Sequence, residues 1–362
     1  PYPPHLTPQP SDFRPHCHAR DRVQQWLPPL GVRRADLGLS DVALRRTTEA
    51  LVRGWEVSTL EVYGAGLLTL HVWCDHARIQ EDARAPASSE LIEAFMAALI
   101  GTYSHHSISN IVSGIRAWHI LHKLPWRLDA PRYDLMMRAA QAETTKEHRR
   151  PPRDPYTTDT LAALFPHFNL AVSLDAAVWS CATTLFYSVS RTGEFTVPAI
   201  ARFDSKKHIS AAHVKPETDR QGREVMSFAL PSTKTKPHTG ETVQWARQSG
   251  VTDPEAALNN HLAVNAPRAD EHLFTHVFRR SRRPLSRRVF LDRIKAAALA
   301  AQRPLLQGHS FRIGGTLEYL LRNVPFDTVR IHGRWSSDAF LLYLRKHAQI
   351  LAPYLQERPE LH

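Results

Sequence analysis

Residues 141–155 read QAETTKEHRRPPRDP. No register of helix or strand gives this stretch a buried face, because it has no apolar period. Pro151, Pro152 and Pro155 also block helix interiors and sheet ladders. The segment reads as a basic linker, and it obliges the parts on either side to build separate cores. The chain has 362 residues, 43% of them hydrophobic, which is enough apolar surface for two cores and rules out wholesale disorder. No stretch of about 18 residues is both free of charge and continuously apolar, so no membrane-spanning helix and no membrane partner are expected. The opening PYPPHLTPQP lacks a basic-then-apolar pattern, so secretion is not expected. Cys17, Cys74 and Cys181 are far apart and odd in number. They predict neither a disulfide framework nor a CxxC zinc site, and they fit a reducing compartment. His16-Cys17-His18 has no second ligand cluster, so no metal and no other cofactor is expected.

Charge divides unevenly across the linker. Residues 1–150 hold 18 Lys+Arg against 16 Asp+Glu, and residues 151–362 hold 28 against 19. Most of the net +11 therefore belongs to the second part. A basic domain prefers a polyanion, with nucleic acid first and an acidic membrane surface second.

Residues 1–35 read as a proline-rich N-terminal arm, with eight of the 26 prolines before residue 32. Residues 36–140 read as a small helical bundle of about four or five amphipathic helices. Ser58-Thr59-Leu60-Glu61 has the form of a capping box with Ser58 as cap. Leu60, Tyr63, Leu67, Leu70 and Trp73 then face a core. Ser88 or Ser89 caps a helix carrying Leu91, Ile92, Phe95 and Leu99, and Ile108, Ile111, Val112, Ile115 and Trp118 recur at helical spacing. In residues 156–362, an apolar run over 170–190 reads as a buried helix. The segments HISAAHV, EVMSFAL and ETVQWA alternate as a small antiparallel sheet, and the pattern is helical from about 253 onward. The fold class expected is mainly α, with a small antiparallel sheet in the second of two domains.

The residues able to carry chemistry lie in this second part. His309 and Arg312 stand three apart on one helix face, Arg191 opens Arg191-Thr192-Gly193-Glu194, and Lys234 and Lys236 lie in a turn-like STKTKPHTG. His332, Trp335 and Tyr343 follow. Two planar guanidinium groups can grip the non-bridging oxygens of a phosphodiester and neutralise charge on a pentacoordinate phosphorus without a metal. A tyrosine whose proton is removed is a competent nucleophile. A lysine can protonate the departing oxygen, and a histidine can shuttle or orient a proton. Singly, each feature has a plain structural reading: a surface pair for His309 and Arg312, core packing for Tyr343, a helix-terminus contact for Arg191.

Taken in order, the motifs RTGE at 191–194, HSFR at 309–312 and GRW…LLY at 333–343 resemble the tyrosine recombinase (phage integrase) family. The likeness covers most of the chain. HSFRIGGTLEYLL and GRWSSDAFLLYLR are most similar to the recombinases of eukaryotic Crypton-type DNA transposons, as are WCDHARI, SGIRAWH and LPW in the first part. The resemblance implies a helical core-binding domain before an α+β catalytic domain, closing on duplex DNA as a clamp. It implies cleavage and rejoining through a 3′-phosphotyrosyl intermediate, without metal. Arg191 and Arg312 would bind phosphate, His309 would be the histidine of the HxxR motif, and Tyr343 would be the nucleophile. Lys234 would be the general acid, with Lys236 as its rival, and Glu194 would orient the pocket through His309 or a backbone group. Trp335 would stand where many relatives have a second histidine, with His332 nearby as a further site residue. One departure is a spacing: Trp335 to Tyr343 is eight residues where relatives commonly show about nine, and one residue turns a helical side chain by about 100°.

Around these motifs lie further cations. Arg279, Arg280, Arg282, Arg283, Arg287 and Arg288 belong to a run of eight cations and one acid over 279–295. The run reads as DNA contacts, a nuclear localisation signal or a solvated helix face. Lys146, Arg149, Arg150 and Arg153 of the linker read as a track for a phosphate backbone or as plain solvated linker. Two duplexes exchanged through four cleavages imply double-stranded DNA as partner and a homotetramer on paired sites, monomeric or dimeric off DNA. The segment around His347–Leu355 could dock on a neighbour or pack within its own chain. The resemblance places the protein in the nucleus. The rival readings are a monomeric topoisomerase with the same chemistry, a transposase-derived DNA-binding protein with unused catalysis, and an RNA-binding or scaffold protein.

Overall fold

A computed structural model describes residues 6–29, 40–143, 153–336, 340–341 and 347–357. The chain divides into two compact units, Pro1–Pro151 and Pro152–His362.

The first unit is helical: α1 (Ala19–Gln25), α2 (Asp41–Val52), α3 (Val57–His76), α4 (Glu81–Arg84), α5 (Ser89–Leu99), α6 (His105–Leu121) and α7 (Ala130–Glu143). Ser88 caps α5, its Oγ accepting from the Leu91 N–H, and Ser104 caps α6 in the same way from Ser107. Ile108, Ile111, Val112, Ile115 and Trp118 all turn inward on α6. Each such side chain stabilises the unit by roughly 1.5–3 kcal/mol relative to exposure. The expected Ser58 cap is corrected. The Glu56 carbonyl accepts from the Thr59 and Leu60 N–H groups, so α3 begins at Val57 and Ser58 lies within its first turn. The expected extended arm is also corrected over residues 6–29. Val23 and Trp26 are buried against α3 and α6, the Trp118 indole N–H donates to the Trp26 carbonyl, and Arg14 is buried. Prolines punctuate this segment without keeping it off the core.

The second unit is built around α9 (Ser173–Tyr187), buried on every side from Asp175 to Tyr187. Before it comes α8 (Thr158–Leu164). After it, β1 (Val214–Thr218), β2 (Glu224–Leu230) and β3 (Glu241–Trp245) form an antiparallel sheet in the order β1-β2-β3. Phe228 pairs with Val214 on one side and Val243 on the other. Next come α10 (Pro254–Asn265), the hairpin β4 (His276–Phe278) and β5 (Ser281–Arg283), then α11 (Arg287–Ala300), α12 (His309–Leu321), α13 (Phe326–His332) and α14 (His347–Leu351). Phe195, Phe228, Trp245, Phe274, Phe290 and Phe311 pack with α9 in one core. The chain is mainly helical with small antiparallel sheets, as its pattern led one to expect.

Two local readings differ. HISAAHV is not the first strand: Ser210 and His213 bond reciprocally around a tight 3-10 turn, and β1 starts only at Val214. Its Pro216 is tolerated because β1 is an edge strand. The helical reading beyond 253 is broken by the β4–β5 hairpin, whose turn residues Arg279 and Arg280 have φ of +48° and +64°. Arginine carries no signal for that left-handed conformation, which glycine or asparagine normally supplies. In the tail, Ile350 is buried with Leu317, Leu320 and Val329 of its own unit, while Leu355 is exposed.

Candidate active site

Three segments remote in sequence meet in the second unit. The first is the turn after α9, where Arg191 precedes a 3-10 turn over Thr192–Glu194. The second is the start of α12. Thr192 Oγ1 donates to the Gly308 carbonyl at 2.8 Å, joining the two across 116 positions. A Cβ at residue 308 would lie 2.5 Å from Thr192 Oγ1, so only glycine permits this approach. The third is the loop after α13, Gly333-Arg334-Trp335.

Arg312 holds this third segment. Its guanidinium is fully buried, donates to the carbonyls of Val189 and Gly333, and lies 4.2 Å from the centre of the Trp335 ring. Trp335 thus stacks on the second arginine of the set. Arg191 is partly open, its side chain 25% exposed, and it donates to Glu194 Oε1 at 2.9 Å. Glu194 also accepts from the Arg191 backbone N–H at 2.8 Å. The carboxylate acts through Arg191, by side chain and backbone.

His309 is half-buried at the first position of α12. Burial, followed by the charges of Arg153, Arg312, Arg191 and Arg287, pushes its imidazole down to about 4. It is therefore neutral at physiological pH. The same charges show that Arg153 and Arg287, read from sequence as DNA contacts, belong to the electrostatic field of the His309 site.

Lys234 and Lys236 are both exposed, on the ten-residue connection from β2 to β3. Among the described residues neither forms an ion pair. His332 is occupied elsewhere, its Nε2–H donating to the Tyr187 carbonyl at 3.0 Å and its ring edge-on to Tyr319. Of the basic run, Arg279, Arg280, Arg287 and Arg288 are exposed. Arg282 is committed to Glu271 and to the carbonyls of Asn265 and Ala266, and Arg283 lies over the Phe278 ring. Tyr343, Lys146, Arg149 and Arg150 fall outside the described residues.

No family model matches this chain, and no curated protein does. Among solved structures, it is similar to the XerH site-specific recombinase in a post-cleavage complex with palindromic difH substrate. That likeness has a TM-score of 0.56 and 11% identity, covering 88% of this chain and 85% of that one. The pre-cleavage complex of XerH with difH superposes at 0.53 with 12% identity, over 88% and 85%. The fold is similar to that of a site-specific recombinase.

The XerH-like fold places Arg191, His309 and Arg312 in one neighbourhood, and it brings in two residues that sequence reading missed. Arg334 Nη2 lies 2.7 Å from Glu194 Oε2, and its Nη1 lies 3.1 Å from Glu241 Oε2. Burial alone would raise the Glu194 carboxyl. The charge and hydrogen bond of Arg334, together with Arg191, hold it below its ordinary value. For Arg334 a signal was present: it, rather than Trp335, stands nine residues before Tyr343. Glu241 had none, because its pairing depends on where β3 begins relative to a distant loop.

Proposed function

We propose that this protein is a site-specific DNA recombinase that breaks and rejoins duplex DNA through a covalent link between Tyr343 and a 3′-phosphate. The observation that carries this reading is the convergence of Arg191, neutral His309 and Arg312 in a recombinase-like fold. Arg191 presents an open guanidinium to a phosphodiester. Arg312 fixes Gly333 at the end of α13 and adds charge beneath the site. Tyr343 Oη forms a bond to phosphorus while the bond to the 5′-oxygen breaks. The phenolic proton passes to His309, and the Lys234 ammonium protonates the departing 5′-oxygen. Rejoining runs the same steps in reverse, since the phosphotyrosyl bond retains the energy of the bond broken. The two guanidinium groups offset the developing negative charge, so the step calls on no metal.

Exposed Arg279, Arg280 and Arg288 supply attraction to the duplex that is independent of base sequence. Four cleavages per exchange call for four protomers on paired sites. The Crypton-like motifs support a transposon recombinase acting in the nucleus. Nicked suicide duplexes of randomised sequence, incubated with the protein in EDTA, test the reading. A covalent adduct is expected, and it should vanish in Tyr343→Phe. An adduct that survives this change places the nucleophile elsewhere, and no adduct on any duplex favours a DNA-binding protein without catalysis. Relaxation of supercoils by a monomer, without recombinant product, would favour a topoisomerase.

A further inference from the structure

Arg334 has φ of +60°, in the left-handed region that side chains other than glycine and asparagine rarely adopt. Its side chain is only 9% exposed. A buried cation on such a backbone is held by its partners, which are two carboxylates from separate elements. Glu194 belongs to the turn that presents Arg191, binding both its backbone N–H and its guanidinium. Glu241 opens β3. Its Oε2 accepts from Thr233 Oγ1 at 2.6 Å and from Thr235 Oγ1 at 3.1 Å. These threonines are the immediate neighbours of Lys234. The Thr233 Oγ1 also accepts from the Lys236 N–H, so its position sets the shape of the loop.

The two carboxylates repel one another, and Glu194 works against the ionisation of Glu241. Burial raises the Glu241 carboxyl, yet Thr233, Arg334 and Thr235 together hold it below its ordinary value. Without the Arg334 charge, two buried anions would face each other, and either a proton would be taken up or the elements would part. Either response loosens Arg191, the Lys234 loop, or both.

We infer that Arg334 is a positioning residue that sets the phosphate-binding Arg191 and the Lys234 loop in register, through Glu194 on one side and Glu241 on the other. The inference rests on the recombinase reading of the same site. Both Arg334 Nη atoms are taken up by these carboxylates, so Arg334 acts through them. It fixes where the general acid stands relative to the phosphate, and its loss is felt as poor protonation of the leaving oxygen.

Single-turnover cleavage separates this role from plain stabilisation. The substrates are an ordinary suicide duplex and one carrying sulfur in place of the bridging 5′-oxygen, whose thiolate leaves without a proton. Arg334→Gln is expected to slow adduct formation on the ordinary duplex by about 100-fold, within the range for loss of a general acid. On the 5′-thio duplex at least about tenfold of that loss should return. Glu241→Gln should show the same rescue, whereas Glu194→Gln, acting first on Arg191, should show little. Equal losses on both duplexes, with wild type active, would overturn the inference and leave the recombinase reading standing. Absence of any wild-type adduct at Tyr343 overturns both. Should Arg334→Gln fail to fold, Thr233→Val with Thr235→Val cuts the link to the lysine loop while leaving Arg334 paired. Thio rescue is then expected again, and its absence overturns the inference.

Discussion

Each unit of this protein holds two arginines against two buried or half-buried carboxylates, and the two networks are used differently. In the first unit, Arg84 donates to Asp75 at 2.8 Å and twice to the Ile79 carbonyl, while Arg14 pairs with Glu81 and contacts His71. The Gln9 N–H also donates to Asp75. This network keeps its cations closed off, with the side chains of Arg14, Arg84 and Asp75 at most 6% exposed and Glu81 alone of the four reaching solvent at 32%, and it pins residues 9–14 to α3 and α4. In the second unit, Glu194 and Glu241 hold Arg334 just as firmly, but Arg191 remains 25% exposed. One network buries both of its cations and opens to solvent only at a carboxylate. The other has an arm left over for a ligand, and that difference, more than the count of charges, separates a structural cluster from a site.

Breaking each network in turn tests the contrast, and this carries the largest expected effects. Arg84→Ala leaves Asp75 buried without its closest cation, which costs about 3–5 kcal/mol of stability. Urea unfolding followed by far-UV circular dichroism should record that loss, while the cleavage rate per folded molecule is unchanged. Arg191→Ala should do the opposite. Its unfolding midpoint should shift little, while adduct formation falls by about 10²–10³, the usual effect of removing one donor to a transition-state oxyanion. A large stability loss in Arg191→Ala would erase the distinction between the networks.

Much of this was legible in the sequence wherever the signal is local. Ser88 before an apolar helix period, the five inward residues of α6, and His309 with Arg312 on one turn are patterns complete within a few residues. What was hidden depends on tertiary approach. Trp26 reads as part of a proline-rich arm until α3 and α6 are folded beneath it. Glu241 reads as an ordinary strand residue until Arg334 arrives from 93 positions away. The β4–β5 hairpin was missed because its turn uses Arg279 and Arg280 where turn chemistry calls for glycine or asparagine.

A smaller effect separates core groups from site groups by pH. Burial, with the charges of His208, His261 and His276, holds His272 at about 3, and His261 and His276 lie at about 4, like His309. The unfolded chain takes up these protons near 6.5, and the folded chain refuses them until well below that. Stability is therefore fully present above about 6.5 and falls as pH drops toward 4, by up to ~1.4 kcal/mol per pH unit for each such group. Urea midpoints at pH 7.5 and 5 measure this slope. Over this window His272→Asn and His309→Asn should flatten it about equally, since both folded values lie below 5, and His272→Asn should flatten it more only when the series is carried down to between about 4 and 3. The reverse order would mean that the site histidine is more enclosed than its neighbours in the core.

The smallest expected effect concerns the cations outside both networks. Arg280 is exposed at φ +64°, where a non-glycine residue costs roughly 1–2 kcal/mol. Arg280→Gly relieves that strain, but glycine adds a conformational entropy cost of about 0.5–1 kcal/mol, so stability should change little. Duplex affinity should fall, and the slope of log affinity against log salt should become shallower by about 0.9, the value for one phosphate contact. Arg282→Ala gives the matched control. Its guanidinium is already committed to Glu271 and two carbonyls, so it should lower stability and leave the salt slope alone. If both changes flatten the slope equally, the hairpin meets DNA along its whole length. If neither does, Arg279 and Arg280 stand away from the duplex, and Arg153, Arg191 and Arg287 around His309 carry the electrostatic contact instead.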